Sequence, residues 1–396
     1  LKNFTYRAEA GYDYTFFQQK DYYAALSDKA VKDGGSLPMG EWTKKDTWKL
    51  RLTHTLTYNK TFNKVHNLNA MIGQEYVASN NESLIVYAKY FQKDITPEKM
   101  FASLASNSGA TGSRTIKSIL GQEDRTLSFF GRLNYSYADR YLLTFTMRAD
   151  GSSMFAPGKR WGYFPSFSGG WVVSNEKFME PLAKWFDFLK IRAGWGQNGN
   201  KNISAFQYEA AFAYNEYSNY SFGNTKDDPV RGAALTRLAN DELTWETSEQ
   251  LDLGFDARFL NSRLGLTFDW YRKTTKDLLL NVPVSPTTGF STQMKNAGTV
   301  RNTGVEVALT WNDKIGKDFK YNVGYNIAYN KNEVTKVNSS QKYNSGGSDL
   351  LAQGTGYMAR FEEGHPIGYF WGYKTAGPIQ NEQELKEYIS TLKDQD

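Results

Sequence analysis

Apolar and polar residues alternate along this chain with a period of two. Phe4, Tyr6, Ala8, Ala10, Tyr12, Tyr14 and Phe16 share one parity, and Asn3, Thr5, Arg7, Glu9, Asp13 and Thr15 share the other. Successive side chains of a strand point to opposite faces, so the pattern predicts a strand with one apolar and one polar face. The same dyad recurs from Trp48 to Tyr58, Leu127 to Tyr137, Tyr141 to Met147, Leu251 to Phe259 and Phe319 to Tyr329. These runs are about 9–13 residues long, whereas globular strands cluster near five or six and a tilted membrane-crossing strand needs about 9–11.

Eleven strands are predicted, at roughly 1–17, 47–60, 65–77, 126–137, 141–150, 161–173, 188–197, 248–260, 263–273, 303–312 and 319–330. Their connections alternate in length. The long ones are 18–46, 78–125, 151–160, 198–247, 274–302 and 331–396, with short turns between. Such a meander describes an outer-membrane barrel whose long loops face outside. Closure of a barrel also satisfies every backbone N–H and C=O within the bilayer. The apolar parity begins and ends in aromatics such as Tyr12, Tyr14, Trp48, Tyr58, Tyr135, Tyr137 and Tyr329, as rings at headgroup level do. The expected fold is all-β, an antiparallel up-and-down transmembrane β-barrel. The alternative is a large soluble β-sandwich or β-helix with one wet face per sheet.

Composition adjusts this picture in places. A mean hydropathy of −0.60 fits a wall that is apolar on alternate residues only. No apolar run approaches the length of a membrane helix. The absence of Cys excludes disulfides, thiolate metal sites and cysteine nucleophiles. The formal net charge of +5 comes from scattered residues and argues against a nucleic-acid partner. His54, His66 and His365 show no metal-ligand spacing, and His54 and His66 suit a girdle. No catalytic residue, metal or cofactor is assigned, and the chain is not read as an enzyme. Gly194-Trp195-Gly196-Gln197-Asn198-Gly199 spells a dinucleotide fingerprint, but Asn200–Ser204 opens no amphipathic helix, as such a site requires. It is read as a glycine-rich strand exit.

Several segments, in one linear order, resemble the SusC/RagA group of TonB-dependent outer-membrane transporters. The densest are Phe129-Phe130-Gly131-Arg132-Leu133-Asn134-Tyr135-Ser136-Tyr137, Arg148-Ala149-Asp150-Gly151-Ser152-Ser153 and Arg160-Trp161-Gly162-Tyr163-Phe164-Pro165-Ser166. Leu189–Asn200, Leu243–Thr247, Asp269–Leu279 and Asn302–Glu306 extend the likeness. The resemblance implies a plugged barrel in the outer membrane of a Gram-negative bacterium that imports oligosaccharides or peptides. It also implies energy from a TonB complex and a SusD-like surface lipoprotein closing the top. A passive or structural barrel, an adhesin, and a soluble carbohydrate-binding β-protein are the alternatives. No plug, TonB-contacting segment or signal peptide is recognisable, and plugged transporters have about 22 strands. Residues 1–396 are therefore expected to be one partial barrel domain, an internal piece with about half the strands. Gln383–Asp396 reads as a polar helix inside an external loop.

Two residue sets follow. Arg7, Glu9, Arg132, Arg148, Asp150, Arg192, Asp252, Asp256, Arg258 and Glu306 lie on the polar parity and are expected to line the lumen and face the plug. Trp42, Tyr90, Phe91, Tyr214, Tyr217, Tyr220, Trp245, Tyr369, Phe370 and Trp371 fall in the long loops. Exposed ones are expected to stack on substrate or bury under the lid, and at least half of the loop aromatics are expected to serve loop packing instead.

Overall fold

A computed structural model describes residues 2–109, 112–121, 123–214, 232–337, 343–346, 358–372, 374 and 377–393. The elements run β1 (Phe4–Tyr23), α1 (Asp28–Asp33), β2 (Met39–Phe62), β3 (His66–Ala88), α2 (Pro97–Ala102), β4 (Arg114–Leu120), β5 (Asp124–Tyr137), β6 (Tyr141–Ser152), β7 (Trp161–Val172) and β8 (Phe186–Asn200). They continue with β9 (Ala211–Tyr214), β10 (Ala233–Arg237), β11 (Glu246–Phe259), β12 (Leu264–Lys276), β13 (Leu279–Pro283) and β14 (Thr292–Asn296). The last are β15 (Thr299–Ile315), β16 (Phe319–Lys336), β17 (Tyr343–Gly346), β18 (Ala359–Glu362), β19 (Tyr369–Phe370) and α3 (Glu382–Lys393).

One antiparallel sheet dominates, in the order β1-β2-β3-β5-β6-β7-β8-β11-β12-β15-β16, with β4 pairing the far end of β3. All eleven predicted strands are present in a simple meander. Several outrun their expected lengths: β2 and β3 have 24 and 23 residues, β15 and β16 have 17 and 18, and β1 has 20. Connections 18–46 and 78–125 are thus partly hairpin extensions, with α1 and α2 in the remainder. Above the bilayer a strand can continue without an apolar outer parity, so its pattern fades while its ladder does not. The short turns use left-handed residues, at Asn63 and Lys64, Ala138 and Asp139, and Leu260 to Ser262, matching the twist of the flanking strands.

The registers prove the common face. Partners run Phe4, Tyr58, Ala70, Leu133, Phe145, Phe167, Trp195 and Leu251 in one unbroken row from β1 to β11. The even parity of β1 and the odd parity of β11 therefore lie on the same side. Seven steps of about 4.8 Å cover about 34 Å. At a strand tilt of 35–45° that row climbs about 19–24 Å, close to the roughly 25 Å height of a lipid-facing band. The row indeed starts at the foot of the band and ends at its upper edge. Beside Leu251, the Trp195 indole donates to Glu249 at 3.1 Å and Lys276 pairs with the same carboxylate at 2.7 Å. At the short-turn rim Tyr137, Tyr141 and Trp171 stack in sequence, and the Glu176 carboxylate accepts from Tyr141 (2.6 Å), Arg140 (2.8 Å) and Trp171 (3.1 Å). His66 joins this belt, its ring nitrogen 2.8 Å from the Tyr135 hydroxyl.

Apolar clusters pack at the long-loop rim, and Val172, Val173 and Met179 are buried at the short-turn rim. Ala88, Phe91 and Met100 form one cluster with Tyr22, Ile95 and Leu104, tying α2 to the extended hairpins. Phe155, Phe164, Leu243 and Trp245 form another. Near the chain's end α3 begins at a cap: Asn381 Oδ1 accepts from the Glu384 N–H at 2.9 Å, and the Glu384 carboxylate accepts from the Asn381 side-chain amide at 2.9 Å and the Gln380 N–H at 2.8 Å.

Candidate functional site

The face opposite the apolar band carries charge in ladders. Arg192 on β8 gives Nε to Asp256 Oδ2 at 2.8 Å and Nη2 to Asp269 Oδ1 at 3.0 Å. Asp269 lies on β12, so the guanidinium spans β11 at Gly254, the residue paired with both. A Cβ on Gly254 would run into the Asp269 carboxylate and stand 2.7 Å from the Phe268 carbonyl. Glycine there makes the crossing possible. A second ladder joins Arg148 Nε to Asp150 at 2.8 Å and Arg148 Nη2 to Glu75 at 3.0 Å, with the guanidinium 5.3 Å from the Phe130 ring centre. Arg7 and Glu9 pair on β1. Asp252 accepts from Gln250 at 2.8 Å, and Arg258 lies 5.3 Å from the Phe188 ring centre. Arg132 and Glu306 are exposed and have no ion-pair partner among the described residues.

Glycines smooth the same face. Phe130 lies over Gly73 and Tyr271 over Gly304, each pair directly opposed across strands, and Phe164 covers Gly162. A ring flat on a bare backbone shields its hydrogen bonds without projecting into the lumen. The glycine-rich run after Gly194 lies wholly within β8. Around Gly170, Gly194 and Gly254 a hollow of about 420 Å³ is edged by Lys190, Arg192, Asp252 and Asp269.

At the long-loop rim, loops fold inward over this face. Trp245 is 7% exposed, packed on Phe155 and Phe164, and its indole donates to the Arg160 carbonyl at 2.8 Å. Asn296 clamps Thr244 with two amide bonds of 2.9 and 3.0 Å. Lys159 reaches Glu242 at 2.9 Å, and this contact raises the lysine's pKa.

The loop aromatics divide. Phe91 and Trp245 are of the packing kind, buried at 1% and 7%, because the loops carry their own small cores, and neither is free to meet substrate or lid. Trp42 is half-buried between Lys20 and Lys44, whose ammonium nitrogens lie 4.5 and 4.7 Å from its ring centre. Tyr90 is half-buried with a left-handed backbone (φ 65°). Tyr369 is half-buried, donates to Glu362 and stacks on His365 at 4.4 Å; the Glu362 bond raises its pKa. Trp371 is 40% exposed with the Arg360 guanidinium 3.3 Å from its ring centre, and Phe370 is 86% exposed. Tyr214 belongs to β9, and Tyr217 and Tyr220 lie outside the described residues. Glu75 and Lys190 were not anticipated at the lumen face. Glu75 follows Met71 and Gly73 on a parity too mixed to read, and Lys190 sits at a strand start.

An apolar, aromatic-edged face backed by a charged one defines a class of protein, the wall of an outer-membrane β-barrel, here an open sheet from β1 to β16. The chain belongs to the TonB dependent receptor-like β-barrel family, whose pattern matches residues 2–389, and its members are outer-membrane proteins of Gram-negative bacteria. It is 35% identical to TonB-dependent receptor P3 of Formosa agariphila over 330 residues, covering 82% of this chain and 31% of that one. It is 39% identical to TonB-dependent receptor SusC of Bacteroides thetaiotaomicron over 249 residues, covering 61% of this chain and 24% of that one. Among solved structures, the RagAB peptide importer in its closed-closed state superposes with a TM-score of 0.75 at 26% identity, covering 93% of this chain and 38% of that one. The chain thus spans about a quarter to a third of the curated relatives it matches.

Proposed function

We propose that this chain forms part of the wall and mouth of a TonB-energised importer for oligosaccharides or peptides, capped by a SusD-like surface lipoprotein. Residues 1–396 act as one barrel unit in this reading. The observation that carries it is the charge-laddered inner face, kept smooth by glycine–aromatic pairs and roofed at the rim by packed loops. The likeness to SusC and to the RagAB peptide importer supports the same reading. Arg132, Glu306 and the Arg192 hollow are the groups offered to a plug or a hydrated solute. Phe370 and Trp371 are those offered to substrate or lid. A soluble β-protein would have no use for a girdled apolar face of this height.

The test is uptake by cells carrying the full-length protein, with and without a working TonB complex. Import of a labelled oligosaccharide or peptide mixture is expected only when TonB is present. Equal uptake in both strains would instead identify a passive barrel. Co-purification of a surface lipoprotein, lost on truncating the 358–372 segment, would support the lid.

A further inference from the structure

The lipid-facing side holds a hollow of about 650 Å³, apolar almost throughout, with Gly131 and Ala149 as its floor and Ile72 and Met147 as walls. That volume is within the range of small-molecule sites, about 300–1,000 Å³. Polar groups stand at one side of it. The Tyr6 hydroxyl lies 2.7 Å from His54 Nδ1, and Gln74, directly opposite His54, is exposed with no hydrogen-bond partner among the described residues. All three belong to the outward parity. Gln74 lies four residues above Ala70, in the row that climbs the band. This places it about 16 Å above the foot of a band about 25 Å tall, in the outer-leaflet half. An amide there faces hydrocarbon, where no water can satisfy it.

We propose that this hollow is a binding site for one outer-leaflet lipid that bears a hydroxyl or amide near the head of an acyl chain. The chain lies over Gly131 and Ala149, and the hydroxyl or amide bonds to Gln74 and His54. Lipid is the occupant because the hollow is continuous with the lipid-facing band. The unpaired Gln74 amide selects a lipid with hydrogen-bonding capacity below its headgroup. Gly131 has room for a side chain, since a Cβ there would stand no nearer than 3.6 Å to any neighbour, so Gly131→Leu fills the hollow without disturbing the ladder.

The experiment is native mass spectrometry of the full-length protein after extended detergent washing, with heat-modifiable gel mobility as the folding check. The wild type is expected to keep one lipid whose mass matches a hydroxylated or amide-linked species of the source membrane. Gln74→Leu and Gly131→Leu are each expected to reduce its occupancy about tenfold, while Leu253→Ile, remote on the same face, leaves it unchanged. Gln74→Leu puts an apolar side chain against lipid and keeps the fold. Equal retention in wild type and both variants overturns the proposal, as does a wild type without bound lipid. A dimer that Gly131→Leu separates also overturns it, because the occupant is then a second copy.

Discussion

Arg192 reaches Asp269 across the strand that separates them, its Nη2 3.0 Å from Oδ1, over a backbone left bare by Gly254. The same guanidinium holds Asp256 at 2.8 Å, so one cation ties three strands together on the lumen side. A pair directly across one strand boundary contributes little when exposed. A cation shared among three strands and half-buried is instead a register pin, since slipping any strand by one residue turns its carboxylate to the lipid face.

Gly254→Val should therefore break this crossing. The new Cβ would collide with the Asp269 carboxylate and the Phe268 carbonyl, so β11 and β12 must part or Arg192 must let go. Overpacking of this kind costs about 1–3 kcal/mol. The measurement is the urea midpoint of the full-length barrel in micelles. Asp269→Asn should shift it by less, because the shape is kept; equal midpoints for Gly254→Val and wild type would refute the pin.

The two kinds of loop aromatic should separate in a paired experiment. Trp245→Ala removes a buried ring and an indole that donates to the Arg160 carbonyl at 2.8 Å, a change that typically costs about 3–5 kcal/mol. Limited proteolysis should then cut at 151–160 and 239–245, which the wild type protects. Phe370→Ala removes a ring that is 86% exposed and should leave stability within about 0.5 kcal/mol. Its effect should appear in substrate or lid binding.

These cases mark what was legible in the chain. Alternation located every wall strand because lipid outside and water inside impose opposite demands on neighbouring residues. It missed the upper reaches of β1, β2 and β3, where water lies on both faces and Lys44 or Glu82 can occupy the outward parity. It also missed the inward placement of Phe130 and Phe164, since a ring over glycine breaks the apolar-out rule locally. Trp245 and Phe370 look alike as loop aromatics. Only the neighbours brought from elsewhere in the chain, Phe155 and Phe164 for Trp245, decide which one is buried.

Acid should loosen one rim selectively. Glu176, in the turn after β7, accepts from Tyr141 first, then from Trp171 and Arg140, and these bonds hold its pKa below the ordinary carboxylate value. A carboxylate favoured in the fold stabilises it fully above its unfolded pKa, near 4.3. That contribution fades as pH falls through the lower folded value. The protection of residues 173–186 against hydrogen exchange, taken relative to the intrinsic rate at each pH, should therefore be steady at neutral pH and fall below the ordinary carboxylate range. Glu176→Gln should exchange faster already at neutral pH and lose that acid step. A wild type without it would mean the turn is held by other contacts.

Lumen charges without partners should act on import rather than on folding. Arg132 and Glu306 are exposed on the inner face and pair with nothing among the described residues, so replacing either with Gln leaves no buried charge stranded. Their unfolding midpoints should stay within about 0.5 kcal/mol of wild type. Arg148→Gln is the contrast: it strands Glu75 and Asp150, which Arg148 now meets at 3.0 and 2.8 Å, and should cost about 1–3 kcal/mol. If Arg132 or Glu306 contacts plug or solute, TonB-dependent uptake should fall about tenfold on its removal, the worth of one charge-assisted hydrogen bond of about 1.4 kcal/mol. Uptake and midpoint measured on the same three variants separate the roles. An Arg132→Gln protein that unfolds as early as Arg148→Gln would make Arg132 part of the wall's own bonding and remove it from the import path.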